Sequence, residues 1–194
     1  MRLFVAVVPP PPVCDDVARA VAHLPSALRA ELRRIPPERF HLTLTFLGDV
    51  EDVRVGPLAE ALAALARSRP PMHLQVAGSG HFQARALWLG LRGDVEPLES
   101  LASDVASAAV EVGVRVQEKP YYGHLTVARP RGQGDVREAV AALSSYAGIP
   151  WQATELVLMR SRLGLIPSYE RQAGWPLLGG VAEHRATPRR TANR

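Results

Sequence analysis

The stretch HLTLTFLG, His41 to Gly48, returns later in the chain as HLTVARP, His124 to Pro130. Six histidines and six threonines among 194 residues would give only roughly 0.2 His-x-Thr triplets by chance, so two copies, each followed by an aliphatic residue, ask for a cause. On a strand, side chains alternate between faces. His41, Thr43 and Thr45 are therefore expected on one face, with Leu42, Leu44 and Phe46 turned to the core. In the second copy His124 and Thr126 share a face, backed by Leu125 and Val127.

Outward from the motifs, the elements alternate. RLFVAVV (Arg2 to Val8) reads as a strand, ended by Pro9 to Pro12, and a helix follows through Val13, Val17, Val21 and Leu24 with Asp15 and Asp16 in its first turn. Pro36 and Pro37 precede the first motif strand, which Gly48 closes. A helix is expected from about Pro57 to Ala66, then two strands, MHLQVAGSGHF and RALWLGL, then a helix carrying Leu98, Leu101, Val105 and Val112 up to Gly113. The second motif strand comes next, then a helix from about Asp135 to Tyr146, the segment WQATELVLMRSRLG, and a last strand near SYERQAGWPLL. The second half restates the first. The expected fold is α+β: two pseudo-symmetric lobes, each an antiparallel sheet with flanking helices, around a central groove.

Composition sets the bounds. With 47% hydrophobic and 22% charged residues the chain is globular in type, and no apolar run is long enough to span a bilayer. Cys14 is the sole cysteine, which excludes an internal disulfide or cysteine-based zinc site and suits a reducing cytosol. The net charge of +4 lies at the end, because HRATPRRTANR, residues 184–194, holds four arginines and no acid while residues 1–183 balance. A single bilobal domain over 1–183 and a solvated basic tail over 184–194 are expected, the tail offering at most a weak electrostatic tether for RNA. No Walker loop, Gly-x-Ser-x-Gly elbow or set of histidines at zinc-ligand spacing is evident.

If the two motif strands face each other, two imidazoles and two hydroxyls converge on a space suited to a tetrahedral anion. Histidine titrates near neutrality, so one imidazole can take a proton from attacking water while the other gives one to the departing oxygen. Threonine hydroxyls can hold the equatorial phosphoryl oxygens. The chemistry indicated is phosphodiester hydrolysis.

With RLFVAVVPP, PPERFHLTLTFLGDV, ALWLGL, YYGHLTVARP and LVLMRSRLG followed by a tyrosine, the chain resembles the two-histidine phosphoesterase superfamily, and most closely the bacterial RNA 2′,3′-cyclic phosphodiesterases, also called 2′-5′ RNA ligases. The resemblance implies a two-lobed, metal-free and cofactor-free enzyme that opens a terminal RNA 2′,3′-cyclic phosphate to a 2′-phosphate and can ligate 2′-5′ ends in reverse. It implies catalytic roles for His41 and His124, with His41 favoured as acid toward the 3′ oxygen and His124 as base, an order the residues themselves leave open. Phosphate binding falls to Thr43, Thr126 and Arg129. Strict alternation, however, sends Arg129 to the face opposite His124, so a bend or bulge is required before Pro130.

Phe82 and Tyr122 are candidate base or ribose contacts, although aromatics usually serve cores and packing is the favoured reading of both. PYYG ahead of the second motif departs from the form common in relatives. His23, His73, His81 and His184 read as structural or exposed, and Arg33, Arg34, Arg39, Arg131, Arg160 and Arg162 as surface charges able to steer phosphate. HFQARALWLGL is too thin for an RNA-reading platform. A monomer acting on RNA, without membrane or metal partners, is the expectation. Activity on another cyclic or 2′-5′ nucleotide, and a non-catalytic RNA-binding module, are the alternatives, separated by turnover across substrates and by RNA binding indifferent to either histidine.

Overall fold

A computed structural model describes residues 1–117, 120–162, 164 and 168–179. The basic tail and His184 lie outside the described residues. The strands are β1 (Arg2–Val7), β2 (Leu32–Arg34), β3 (Leu42–Asp49), β4 (Met72–Phe82), β5 (Ala86–Gly93), β6 (Leu125–Pro130), β7 (Ala147–Ala153), β8 (Glu155–Arg162) and β9 (Ser168–Pro176). The helices are α1 (Pro11–Ala22), α2 (Ser26–Ala30), α3 (Asp52–Ser68), α4 (Val95–Glu111) and α5 (Arg137–Leu143), with a 3-10 turn over Pro37–Arg39.

All strand pairings are antiparallel and form one curled sheet in the order β7-β4-β5-β6-β3-β1-β8-β9, with β2 beside β6. The two motif strands are the central neighbours. Each lobe is a run of four strands outward from its motif strand, and the lobes join through one register pair, Leu42 opposite Leu125, both fully buried. The helices cross over: α1 leaves β1 yet packs on β6 and β7, whereas α4 leaves β5 and packs on β3. The exchange binds the lobes into one core, so Leu3, Leu42, Leu98, Val105 and Leu125 belong to a single cluster.

Several expectations need local correction. The first helix begins at Pro11, with prolines at its opening positions where a missing N–H costs nothing, so Asp15 and Asp16 fall in the second turn. Pro57 marks no helix start, because α3 opens a turn and a half earlier at Asp52 and takes Pro57 into its interior. The last long segment divides at Thr154 into β7 and β8, and Pro150 is tolerated because β7 is an edge strand. The short elements α2 and β2 have too few residues to show a period. Cys14 is buried, its thiol donating to the Pro9 carbonyl at 3.4 Å, and burial, then Asp15, push its pKa up to about 11.

The motif strands carry the same irregularity. Between β1 and β3 the register slips at Leu44, since Val5 faces Thr45 while Ala6 faces Thr43. Between β5 and β6 it slips at Val127, since Leu87 faces Ala128 while Trp88 faces Thr126. Each slip is a bulge that inserts one residue and reverses the alternation beyond it. Burial follows: Leu42, Leu44, Thr45 and Leu47 are buried with Phe46 exposed, and Leu125, Val127, Ala128 and Pro130 are buried with Arg129 exposed.

Candidate active site

The bulges decide which side chains reach the groove. Arg129 returns to the face of Thr126, as the resemblance required. Thr45, expected beside His41, turns instead into the core, where its hydroxyl donates to the Ala102 carbonyl of α4 at 3.1 Å. Phe46, expected in the core, stands 69% exposed at the position that Arg129 holds in the other lobe. The lobes are thus alike in backbone and unlike in charge.

His41 and His124 sit one residue ahead of the Leu42–Leu125 pair. Extending that antiparallel register by one residue each way sets His41 opposite Thr126 and His124 opposite Thr43. Such diagonal positions, as the two histidines occupy, lie about 7–8 Å apart in a regular ladder. Both rings are fixed in the same way: His41 Nδ1 bonds the Arg39 carbonyl at 2.8 Å and His124 Nδ1 the Tyr122 carbonyl at 2.6 Å. Since a carbonyl only accepts, Nδ1 carries the proton and Nε2 is the variable site, basic when neutral and acidic when protonated.

Electrostatics ties the pair together. Burial lowers the His41 pKa, the Arg39 carbonyl opposes this, and the positive charges of His124 and Arg39 lower it further. Burial lowers His124 as well, again opposed by its carbonyl bond. Each imidazole is therefore held closer to its neutral form, and charge on His124 is felt at His41.

Aromatic walls surround both rings. His41 lies 4.9 Å from Phe4 and 4.9 Å, edge to face, from Tyr169, over whose ring the Arg39 guanidinium sits at 5.1 Å. His124 lies 4.8 Å, edge to face, from Phe82, 6.2 Å from Trp88 and 6.4 Å from Tyr122. Trp88 crosses Gly80, where any Cβ would stand 2.2 Å from the indole. A cavity of about 260 Å³ opens beside this wall, lined by Trp88, Tyr122, Glu99 and Gly90. Phe82 and Tyr122 are thus brought to the site, both exposed.

Phe4 and Trp88 were not expected at the site, and Arg39, expected only as a surface charge able to steer phosphate, stands over the Tyr169 ring beside His41. Phe4 lay hidden in an apolar strand, and the only sign of Trp88 was the glycine spacing opposite it. The tyrosine after LVLMRSRLG is Tyr169, against His41. Of the other histidines, His23 bonds the Arg19 carbonyl, His81 accepts from the Ala84 N–H, and His73 lies beside Asp94. Arg162 pairs with Glu170. A larger cleft of about 1030 Å³, lined by Arg19, Arg29, Arg34 and Arg131 among others, lies between α1, α2 and β2 and takes in neither motif histidine. Among the described residues no cluster of three or more histidine, cysteine or acidic side chains is placed to hold a metal.

Two antiparallel half-sheets joined at paired His-x-Thr strands define a two-lobed α+β architecture. Residues 9–164 match the 2′-5′ RNA ligase superfamily, and the chain belongs to that family. A relative from Geobacillus stearothermophilus, RNA 2′,3′-cyclic phosphodiesterase, is 36% identical over 148 residues, which cover 73% of this chain and 46% of that protein, so the chain spans about half of it. A protein of the same name from Archaeoglobus fulgidus is 31% identical over 152 residues, 75% of this chain and 82% of the relative. In fold, the chain is similar to the crystal structure of TT0787 from Thermus thermophilus, with a TM-score of 0.78 over 92% of this chain and 99% of that one, at 24% identity.

Proposed function

We propose that the protein hydrolyses terminal 2′,3′-cyclic phosphates of RNA to 2′-phosphomonoesters by paired-histidine acid and base catalysis. The observation that carries this is the matched anchoring of His41 and His124, each with Nδ1 tied to a carbonyl and Nε2 left to move a proton. Water attacks phosphorus and gives its proton to one Nε2 as the bond from phosphorus to O3′ breaks. The other Nε2–H protonates O3′, and the phosphate stays on O2′. By family analogy His124 is the base and His41 the acid.

Thr43 and Thr126 donate hydrogen bonds to the equatorial oxygens, and Arg129 offsets their charge. Phe82, Tyr122 and the cavity beside Trp88 receive the ribose or base of the terminal nucleotide. The same groups run backward as a 2′-5′ ligation. The chemistry requires no metal, no cofactor and no second chain, and a buried thiol held protonated suits a cytosolic enzyme. No described helix is long and apolar enough to cross a membrane. The working unit is the bilobal body, residues 1–183.

The test is an RNA ending in a 2′,3′-cyclic phosphate, incubated in excess chelator with the wild type, His41→Ala and His124→Ala. Product with phosphate on O2′ from the wild type alone supports the proposal. A metal requirement, a 3′-phosphate product, or full activity in either variant overturns it.

A further inference from the structure

Among the described residues strand β2 has no counterpart in the other lobe. It lies along the edge of β6 just past the catalytic groove, with Leu32 opposite Pro130, Arg33 opposite Arg129 and Arg34 opposite Ala128. Directly opposed residues of an antiparallel ladder project from the same face with Cβ atoms about 4.5–5.5 Å apart, and like charges so placed are destabilising. Arg33 and Arg129 are both exposed, and among the described residues neither guanidinium has a carboxylate partner. The positive charge continues outward, because Arg33, Arg34 and Arg131 all line the cleft beyond β2.

The pairing is held firmly. The Arg131 N–H donates to the Glu31 carbonyl at 2.7 Å and the Ile35 N–H to the Val127 carbonyl at 2.8 Å, so the ladder is closed on both sides of the arginines. The bulge at Val127 that brings Arg129 to the Thr126 face brings Arg33 with it. Three residues of strand, about 10 Å at most, separate this pair from Thr126. An anion between two guanidiniums converts their repulsion into two charge-assisted contacts.

We propose that Arg33, with Arg129 reaching across from the cyclic phosphate, forms a subsite for the adjacent backbone phosphodiester of the RNA strand, one that leads the cyclic end into the groove and makes the enzyme prefer an oligonucleotide to a mononucleotide. The proposal rests on the hydrolase reading above for its choice of RNA. The opposite lobe supports this direction of entry, since the equivalent position there is the uncharged Phe46.

Two measurements test it with Arg33→Gln. In the first, kcat/KM is determined for a 2′,3′-cyclic mononucleotide and for an oligoribonucleotide with the same end. The ratio of oligonucleotide to mononucleotide falls about tenfold in the variant, chiefly through KM, as expected for loss of one charge-assisted contact. In the second, a fluorescent oligoribonucleotide ending in 2′-phosphate is titrated at several salt concentrations. The variant binds about tenfold more weakly, and its slope of log K against log salt is smaller by about 0.7, the value for one phosphate contact on a single strand. Arg33→Lys recovers part of both effects, and Arg33→Gln unfolds at a temperature no lower than the wild type because a repulsion has been removed.

An unchanged ratio with unchanged binding overturns the proposal, as does an equal loss on both substrates with a lowered melting temperature. If the wild type hydrolyses neither substrate, the hydrolase reading fails. The titration then still decides the subsite.

Discussion

His41 stands across the central seam from Thr126, and His124 from Thr43, because β3 and β6 are in register at Leu42 with Leu125. Each imidazole therefore stands opposite the hydroxyl supplied by the other motif. Neither motif is complete by itself, and the lobes cannot separate without dismantling the site.

The pH dependence follows from the burial of both rings. Each histidine is lowered from its ordinary value of 6.5, so the pair titrates on the acid side of it. The proposed mechanism requires one ring neutral and the other protonated. The profile of kcat/KM is expected to be bell-shaped with its maximum below pH 6.5, and a maximum above pH 7.5 would contradict this origin. Stability carries the same sign: with folded pKa values depressed, the contribution is complete above 6.5 and is lost as pH falls through the folded values. Melting temperatures taken from pH 7 downward should fall less steeply in a His41→Gln variant.

The order of acid and base can be read from the leaving group. A substrate with sulfur in place of O3′ leaves as a thiolate and needs little protonation. His41→Ala should regain at least tenfold in activity on that substrate relative to the oxygen parent, and His124→Ala should regain nothing. The reverse pattern would exchange the two roles.

Much of this was legible in the residues themselves. The duplicated motif announced the two lobes and four of the site's side chains, since apolar alternation and proline breaks are local properties. The bulges at Leu44 and Val127 were not visible, because a bulge depends on how a neighbouring strand pairs and leaves the strand's own sequence unmarked. Thr45 and Phe46 were consequently assigned to each other's environments. The difficulty with Arg129 was the one usable signal, a charged residue that alternation would have buried. Arg33 read as a surface charge because β2, at three residues, has no period to place it.

Gly80 exists for Trp88. A methyl at Gly80 would overlap the indole at 2.2 Å, and the indole lies 6.2 Å from His124, so the ring must shift toward the site or the strand must yield. Gly80→Ala should cost about 1–3 kcal/mol in unfolding free energy, in the range for overpacking. Turnover should fall with it. A paired Gly80→Ala, Trp88→Leu variant should recover stability by denaturant unfolding without recovering full affinity for substrate, because the wall beside His124 is then smaller. Full recovery of both would show that the indole serves packing alone.

The two threonines of HLTLTF can be told apart by experiment. Thr43 faces the groove, whereas Thr45 is buried and donates to the Ala102 carbonyl of α4. Thr45→Val removes one buried hydrogen bond, about 1 kcal/mol, while keeping the shape of the side chain. Its effect should appear in the melting temperature and not in kcat. Thr43→Val should do the opposite: stability nearly unchanged, and kcat reduced by about 10²-fold, the scale for losing one hydrogen-bond donor to transition-state charge. Thr126→Val should match Thr43→Val, and the double variant should lose more than either. If Thr45→Val lowered kcat as much as Thr43→Val did, the bulge at Leu44 would be refuted along with the faces it assigns.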